Sequence, residues 1–237
     1  MRHHANRFDS IAKLGTAAAF LAFLLTGCQI STAGLANLVG SGNIVTKERD
    51  VSEDFHKVRI GSALDAVIVH GETPSISITA DDNVIDKIET YVASNGALVV
   101  RRARGINLQT KSAIKLRIVT PKCDSVDVSG ASVVSLKEFD QQELRTRVSG
   151  ASKLTVASQI DHLELQVSGA SKVYADHHES TTVDVQVSGA SQVTVSAADT
   201  IEGTMSGASS LAYSGDPEQV AIRTTGASRV RHQKTES

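Results

Sequence analysis

Three acidic residues, Glu164, Asp184 and Glu202, each stand five positions before a glycine (Gly169, Gly189, Gly207). If those glycines mark a structural repeat, the carboxylates form one column. Such a column has two chemical uses: oxygen ligation of Ca²⁺, or pKa shifts large enough for acid–base cleavage of a polysaccharide. The full column reads Ser125, Arg145, Glu164, Asp184, Glu202, Ala221, and the preferred reading is a solvated acidic strip flanked by Arg145. Asp81, Asp82 and Asp86 form a second acidic group. It lacks the glycine and ligand spacing of a calcium loop, and Asp82 as a helix cap explains it as well. His177 and His178 are adjacent, beside Asp176 and Glu179, with no partner at a metal-ligand spacing. A solvated turn is the expectation there. The many serines do not suggest a nucleophile: a hydrolase needs one serine held against a base, with donors aimed at an oxyanion. No catalytic, metal or cofactor residue is assigned. Aromatic platforms for sugar stacking are also missing, leaving Tyr174 and Tyr213 as isolated contacts or packing residues.

The elements that position these residues come from an internal repeat. Six copies of one motif occur: Val128-Ser-Gly-Ala-Ser132, Val148-Ser-Gly-Ala-Ser152, Val167-Ser-Gly-Ala-Ser171, Val187-Ser-Gly-Ala-Ser191, Met205-Ser-Gly-Ala-Ser209 and Thr224-Thr-Gly-Ala-Ser228. Their glycines, Gly130, Gly150, Gly169, Gly189, Gly207 and Gly226, are 18 to 20 residues apart. Alternating apolar residues flank each copy, as in Leu163-Glu-Leu-Gln-Val167 before a motif and Lys172-Val-Tyr-Ala175 after it. That is the period of a half-buried strand. Each unit therefore reads as strand, Ser-Gly-Ala-Ser bend, strand, and a second polar bend near 157–161 or 176–181. The glycines meet a need for positive φ or close backbone approach.

Either an antiparallel meander or a solenoid uses such units. Column composition favours the solenoid. Two before the glycine stand Val128, Val148, Val167, Val187, Met205 and Thr224; four after it stand Val134, Leu154, Val173, Val193, Leu211 and Val230. Like residues stacked in register fill a narrow core, each coil burying its face against its neighbours. Three before the glycine the column is polar, with Asp127 over Arg147 and Gln166 over Gln186 as favourable pairs. The motif serines are expected to form hydroxyl ladders. The expected fold is an all-β, parallel β-helix-like solenoid of about 19–20 residues per coil. Arg59-Ile-Gly-Ser-Ala-Leu64 reads as a degenerate copy, and one or two helical turns or a loop are expected over 82–89. Irregular first coils suit a terminal cap.

The N-terminus carries an address. Arg2, Arg7 and Lys13 precede an apolar run, Leu14 to Leu25, too short to span a bilayer. Leu25-Thr-Gly-Cys28 resembles the lipobox of bacterial lipoproteins, which implies cleavage before Cys28 and a diacylglycerol on its thiol, a membrane anchor that does not span. Gln29, where inner-membrane-retained lipoproteins carry Asp, implies the outer membrane, its periplasmic or surface face left open. The reading is a signal peptide over 1–27, a lipidated N-terminus and linker over 28–43, and one domain over 44–237. Loss of the signal leaves 21 basic against 25 acidic residues, about −4. That balance argues against nucleic acid. With Cys28 lipidated, Cys123 is the remaining cysteine, so no disulfide framework forms.

Several stretches resemble one known family: Gly40-Ser-Gly-Asn-Ile-Val45 with Glu48-Arg-Asp-Val51, Phe55-His-Lys-Val58 running into Gly61-Ser-Ala-Leu-Asp-Ala66, Ile78-Thr-Ala-Asp-Asp-Asn83, and the Ser-Gly-Ala-Ser series. They are similar to the auto-transporter adhesin, head GIN domain proteins of bacterial envelopes, over about residues 40 to 230. The resemblance implies a right-handed parallel β-helix-like fold in an exported or lipid-anchored protein, and no catalytic residues. Function is accordingly read as a non-catalytic envelope module contacting a protein or glycan. A structural assembly protein and a polysaccharide-binding or polysaccharide-cleaving β-helix stand as alternatives.

Overall fold

The computed structural model describes residues 36–51 and 54–233. The signal and lipobox readings, Cys28 included, lie outside the described residues. The N-terminal half supplies strands β1 (Ala36–Val39), β2 (Ile44–Arg49), β3 (Lys57–Ile60), β4 (Asp65–His70) and β5 (Ser75–Asp81). A 3-10 turn at Ile85–Lys87 leads to β6 (Ile88–Val92), β7 (Ala97–Arg102), β8 (Ile106–Gln109) and β9 (Lys115–Thr120). The repeats supply β10 (Ser125–Val128), β11 (Val133–Val148), β12 (Lys153–Val167), β13 (Lys172–Val187) and β14 (Gln192–Met205). Strands β15 (Ser210–Ser214), β16 (Gln219–Thr224) and β17 (Arg229–His232) complete the chain. No α-helix occurs among the described residues, and no helix there is long and apolar enough to cross a membrane.

The architecture is an all-β solenoid of about five turns. Successive repeat strands pair parallel and in register: Val148 with Val167, Val167 with Val187, Val187 with Met205. A parallel partner needs a crossover, and here the crossover is one coil. The strands before the motif stack as β7, β3, β10, the second half of β11 and of β12–β14, then β16. The strands after the motif stack as β9, β4, the first half of β11–β14, β15 and β17. The inward columns from both stacks meet in one core. Leu144, Leu165, Val185 and Val193 are fully shielded from solvent, each contributing roughly 1.5–3 kcal/mol relative to exposure.

The bend keeps the stack continuous. The amides of Ala151, Ala170, Ala190, Ala208 and Ala227 each donate to the carbonyl of the glycine one coil earlier, all at 2.8 Å. All six motif glycines lie at φ between +72° and +79°. The second polar bend interrupts less than the sequence suggests. Strands β11–β14 run through it, and only the register shifts, for example between Thr155 and His162 in the β12–β13 pair. Ser158 and Ile160 are buried there, so the corner is held from inside.

The N-terminal end is closed by antiparallel strands: β5 on β9, β2 on β5, and β6 on β7. Residues 36–43, assigned to a linker from sequence, carry β1, paired with β8, and a loop described below. The degenerate copy is in place but offset by one. Ile60 pairs with Val128, so Ser62 takes the glycine position, at φ +68°.

Candidate functional site

The outward side of the pre-motif stack gathers acidic, basic and amide side chains on successive strands. Alternation on β12 sends Leu163, Leu165 and Val167 into the core and leaves His162, Glu164 and Gln166 outside. Register repeats this on every coil. One outward column reads Ser125, Arg145, Glu164, Asp184, Glu202, Ala221, and the next reads Arg59, Asp127, Arg147, Gln166, Gln186, Thr204, Arg223. A third carries Glu143, His162, Thr182, Thr200 and Gln219.

The structure thus brings Glu164, Asp184 and Glu202 onto adjacent coils. No group of three or more His, Cys, Asp or Glu side chains among the described residues is arranged to hold a metal ion. Neighbouring cations share the strip instead. Arg145 bonds Glu143 at 2.7 Å and approaches Glu164 at 3.8 Å, and Glu143 raises the Arg145 guanidinium pKa. Two expected column pairs are made differently. Asp127 pairs with Arg59 at 3.1 Å, because the degenerate coil puts a guanidinium directly beside it. Arg147 turns to Gln166 (3.1 and 3.2 Å), and the Gln166 amide donates to Glu164, so no Gln166–Gln186 ladder forms.

His162 escapes sequence reasoning altogether. Its Nδ1 lies 2.6 Å from Thr182 Oγ1, and its Nε2 lies 3.3 Å from Asp184 Oδ2. The signal was available in offsets: His162 and Thr182 each stand seven residues before a motif glycine. Three shallow depressions of about 530, 330 and 90 Å³ all lie on this face.

The other candidates are occupied structurally. Asp82 caps no helix; the short turn begins after Val84 without a side-chain cap. Asp82 instead accepts from Ser41 Oγ (2.5 Å) and Asn43 Nδ2 (2.9 Å), which hold its carboxyl below the usual range. Asp81 is buried and accepts from the Gly42 amide at 2.6 Å, while Asp86 pairs with Lys47 at 2.8 Å. This acidic group therefore fastens loop 40–43 and β2 to the solenoid. His177 and His178 are exposed on β13, His177 lying 3.7 Å from Asp176. Tyr174 sits under the Lys153 ammonium at 5.0 Å, and Tyr213 stacks on His232 at 4.8 Å.

The last motif serines are buried at Ser132, Ser152, Ser171, Ser191 and Ser209. Their hydroxyls mainly donate to carbonyls, as Ser152 Oγ does to Ser149 at 2.8 Å, so a hydroxyl-to-hydroxyl step appears once, Ser209 with Ser228 at 3.1 Å. A carbonyl three residues back is fixed by the bend, whereas a hydroxyl one coil away is not.

Comparison with known proteins matches this architecture. No curated protein registers as a match. Among solved structures, a "putative adhesin" from Bacteroides fragilis aligns with TM-score 0.64 at 17% identity, covering 83% of this chain and 100% of that one. A "putative lipid binding protein" from Parabacteroides distasonis aligns with TM-score 0.54 at 16% identity, over 83% and 99%. A "putative adhesin" from Parabacteroides merdae gives TM-score 0.51 at 17% identity, over 84% and 99%. At these identities the likeness concerns the fold alone. The model of one family covers residues 54–217, from the buried Phe55 through the fifth motif copy, and on that match the chain belongs to the family described as "Putative auto-transporter adhesin, head GIN domain".

Proposed function

We propose that this chain is a non-catalytic, lipid-anchored envelope protein whose solenoid serves as an adhesion or surface-interaction module. The observation that carries the reading is the outward face of the pre-motif stack. It presents registered polar side chains on six stacked strands, from Asp127 to Arg223, over a continuously hydrogen-bonded backbone. An extended, preorganised surface binds through many modest contacts at little ordering cost. Family membership supports an envelope or cell-surface setting. The lipobox-like Leu25-Thr-Gly-Cys28 supports anchoring through Cys28, and Gln29 supports the outer membrane.

Surface labelling of intact native cells, combined with crosslinking from residues placed on the outward columns, tests this reading. Labelling of the anchored protein and a crosslinked envelope or neighbouring-cell component are expected. A protein sealed from the label and free of crosslinks would refute it.

A further inference from the structure

We infer that the outward face of the pre-motif stack is a binding trough for a linear, hydroxyl-rich glycan, neutral or amine-bearing, lying along the solenoid axis. This rests on the surface-interaction reading above and names its ligand class. The three depressions are one feature. The widest shares Gln186 and Thr204 with the second, the second shares Arg147 and Gln166 with the third, and Glu164 joins the first to the third. The trough therefore crosses the coils, and with strands roughly 4.8 Å apart its six stacked strands span about 24 Å.

Its chemistry suits hydroxyl groups, which both donate and accept. Carboxylates of Glu164, Asp184 and Glu202 accept, the Arg223 guanidinium donates, and Gln186 and Thr204 do both. The valines on the lining, Val167, Val185 and Val187, are core residues at most 3% exposed, so a ligand meets mainly polar side chains there, with Ala221 as the apolar exception. An added peptide strand finds no free backbone, because β12 and β13 are paired on both sides. Polyanions are disfavoured at the widest part, where three carboxylates face one guanidinium. The floor is also shaped. Ala221 ends the carboxylate column with a methyl group, which leaves the 530 Å³ depression open for a ring. With no aromatic side chain on the lining, retention rests on hydrogen bonds and grows with chain length.

The test is native electrophoresis of the full chain, in a sugar-free non-ionic detergent, through gels holding hydroxyethyl cellulose, glycol chitosan or polygalacturonate. Retardation by the first two and free migration in the third are expected. Ala221→Trp should abolish the retardation by filling the depression. Asp184→Ala should weaken it roughly tenfold, as loss of one charge-assisted hydrogen bond does. Lys172→Ala, on the post-motif stack, should be retarded as much as wild type when each is compared with its own migration in a polymer-free gel, and thermal melts confirm folding of all three variants. No retardation by either neutral or amine-bearing polymer, retardation by polygalacturonate, or equal retardation of wild type and Ala221→Trp would each overturn the inference. Cell-surface labelling separates the two claims: labelled, crosslinked protein with no polymer binding leaves the surface-interaction reading standing and removes the glycan.

Discussion

Gly169 lies directly over Gly150, close enough that a Cβ on Gly169 would run into the Gly150 carbonyl oxygen, the acceptor for Ala170. The same contact recurs at Gly150, Gly189, Gly207 and Gly226. Backbone conformation adds to it, since φ is +78° at Gly169 and a left-handed residue with a side chain costs about 1–2 kcal/mol. Gly169→Val should therefore destabilise by more than about 3 kcal/mol. Ser171→Ala removes a buried hydroxyl whose acceptor, the Gly150 carbonyl, keeps the Ala170 amide. Its expected cost is about 1 kcal/mol. Equal melting temperatures for the two variants would remove the bend from its structural role.

Much of this was legible because parallel in-register stacking makes offset from the glycine equal to position in space. That is why Glu164, Asp184 and Glu202 share a column in both sequence and structure. Burial of the motif serines was not legible, since a polar residue in a polar bend suggests exposure. Ser171 is 0% exposed because carbonyls within the stack satisfy its hydroxyl. The partner of Asp127 was hidden by the one-residue offset of the Arg59 coil. The tie of Asp82 to Ser41 joins residues 41 apart, which no local periodicity reports.

Cys28 carries the anchoring reading. Cys28→Ser should move the protein from the membrane fraction, or leave the signal uncut, and should abolish labelling by radioactive palmitate. Unchanged membrane retention and labelling would show that the lipobox resemblance misleads.

Acid should loosen the N-terminal arm first. Ser41 and Asn43 lower the Asp82 pKa, and Lys47 lowers that of Asp86. A carboxyl whose folded pKa lies below its unfolded value stabilises the fold above the usual carboxylate range. That contribution disappears as pH falls through the folded pKa. Hydrogen-exchange protection of β2 should drop towards pH 3 relative to β12. Parallel loss of protection in both strands would contradict the clamp.

Cys123 should be inert while the protein is folded. Burial pushes its thiol up to about 12, with Asp124 adding to the shift, so the reactive thiolate is scarce near neutral pH. Iodoacetamide at pH 8 should modify Cys123 slowly in the native protein and rapidly in denaturant. Fast native alkylation would place that thiol at the surface.

Removal of one complete coil should be tolerated where removal of half a coil is not. Deleting residues 169–188 joins Val167-Ser168 to Gly189-Ala190-Ser191 and regenerates the motif. Gly189 would then stack on Gly150, and β14 would pair with β12, the inward columns Leu163, Leu165 and Val167 meeting Ile201, Gly203 and Met205. Each coil interacts with its neighbours alone, so stability falls by about one repeat and one interface while the fold survives. Deleting residues 169–178 instead removes Gly169 and leaves about one and a half coils between Gly150 and Gly189, so the apolar side chains of that interval cannot meet both neighbouring columns. Circular dichroism and thermal melts of the two deletions should show a cooperative β-rich fold for the first and its loss for the second. A folded half-coil deletion would mean that the columns are not what holds the stack in register.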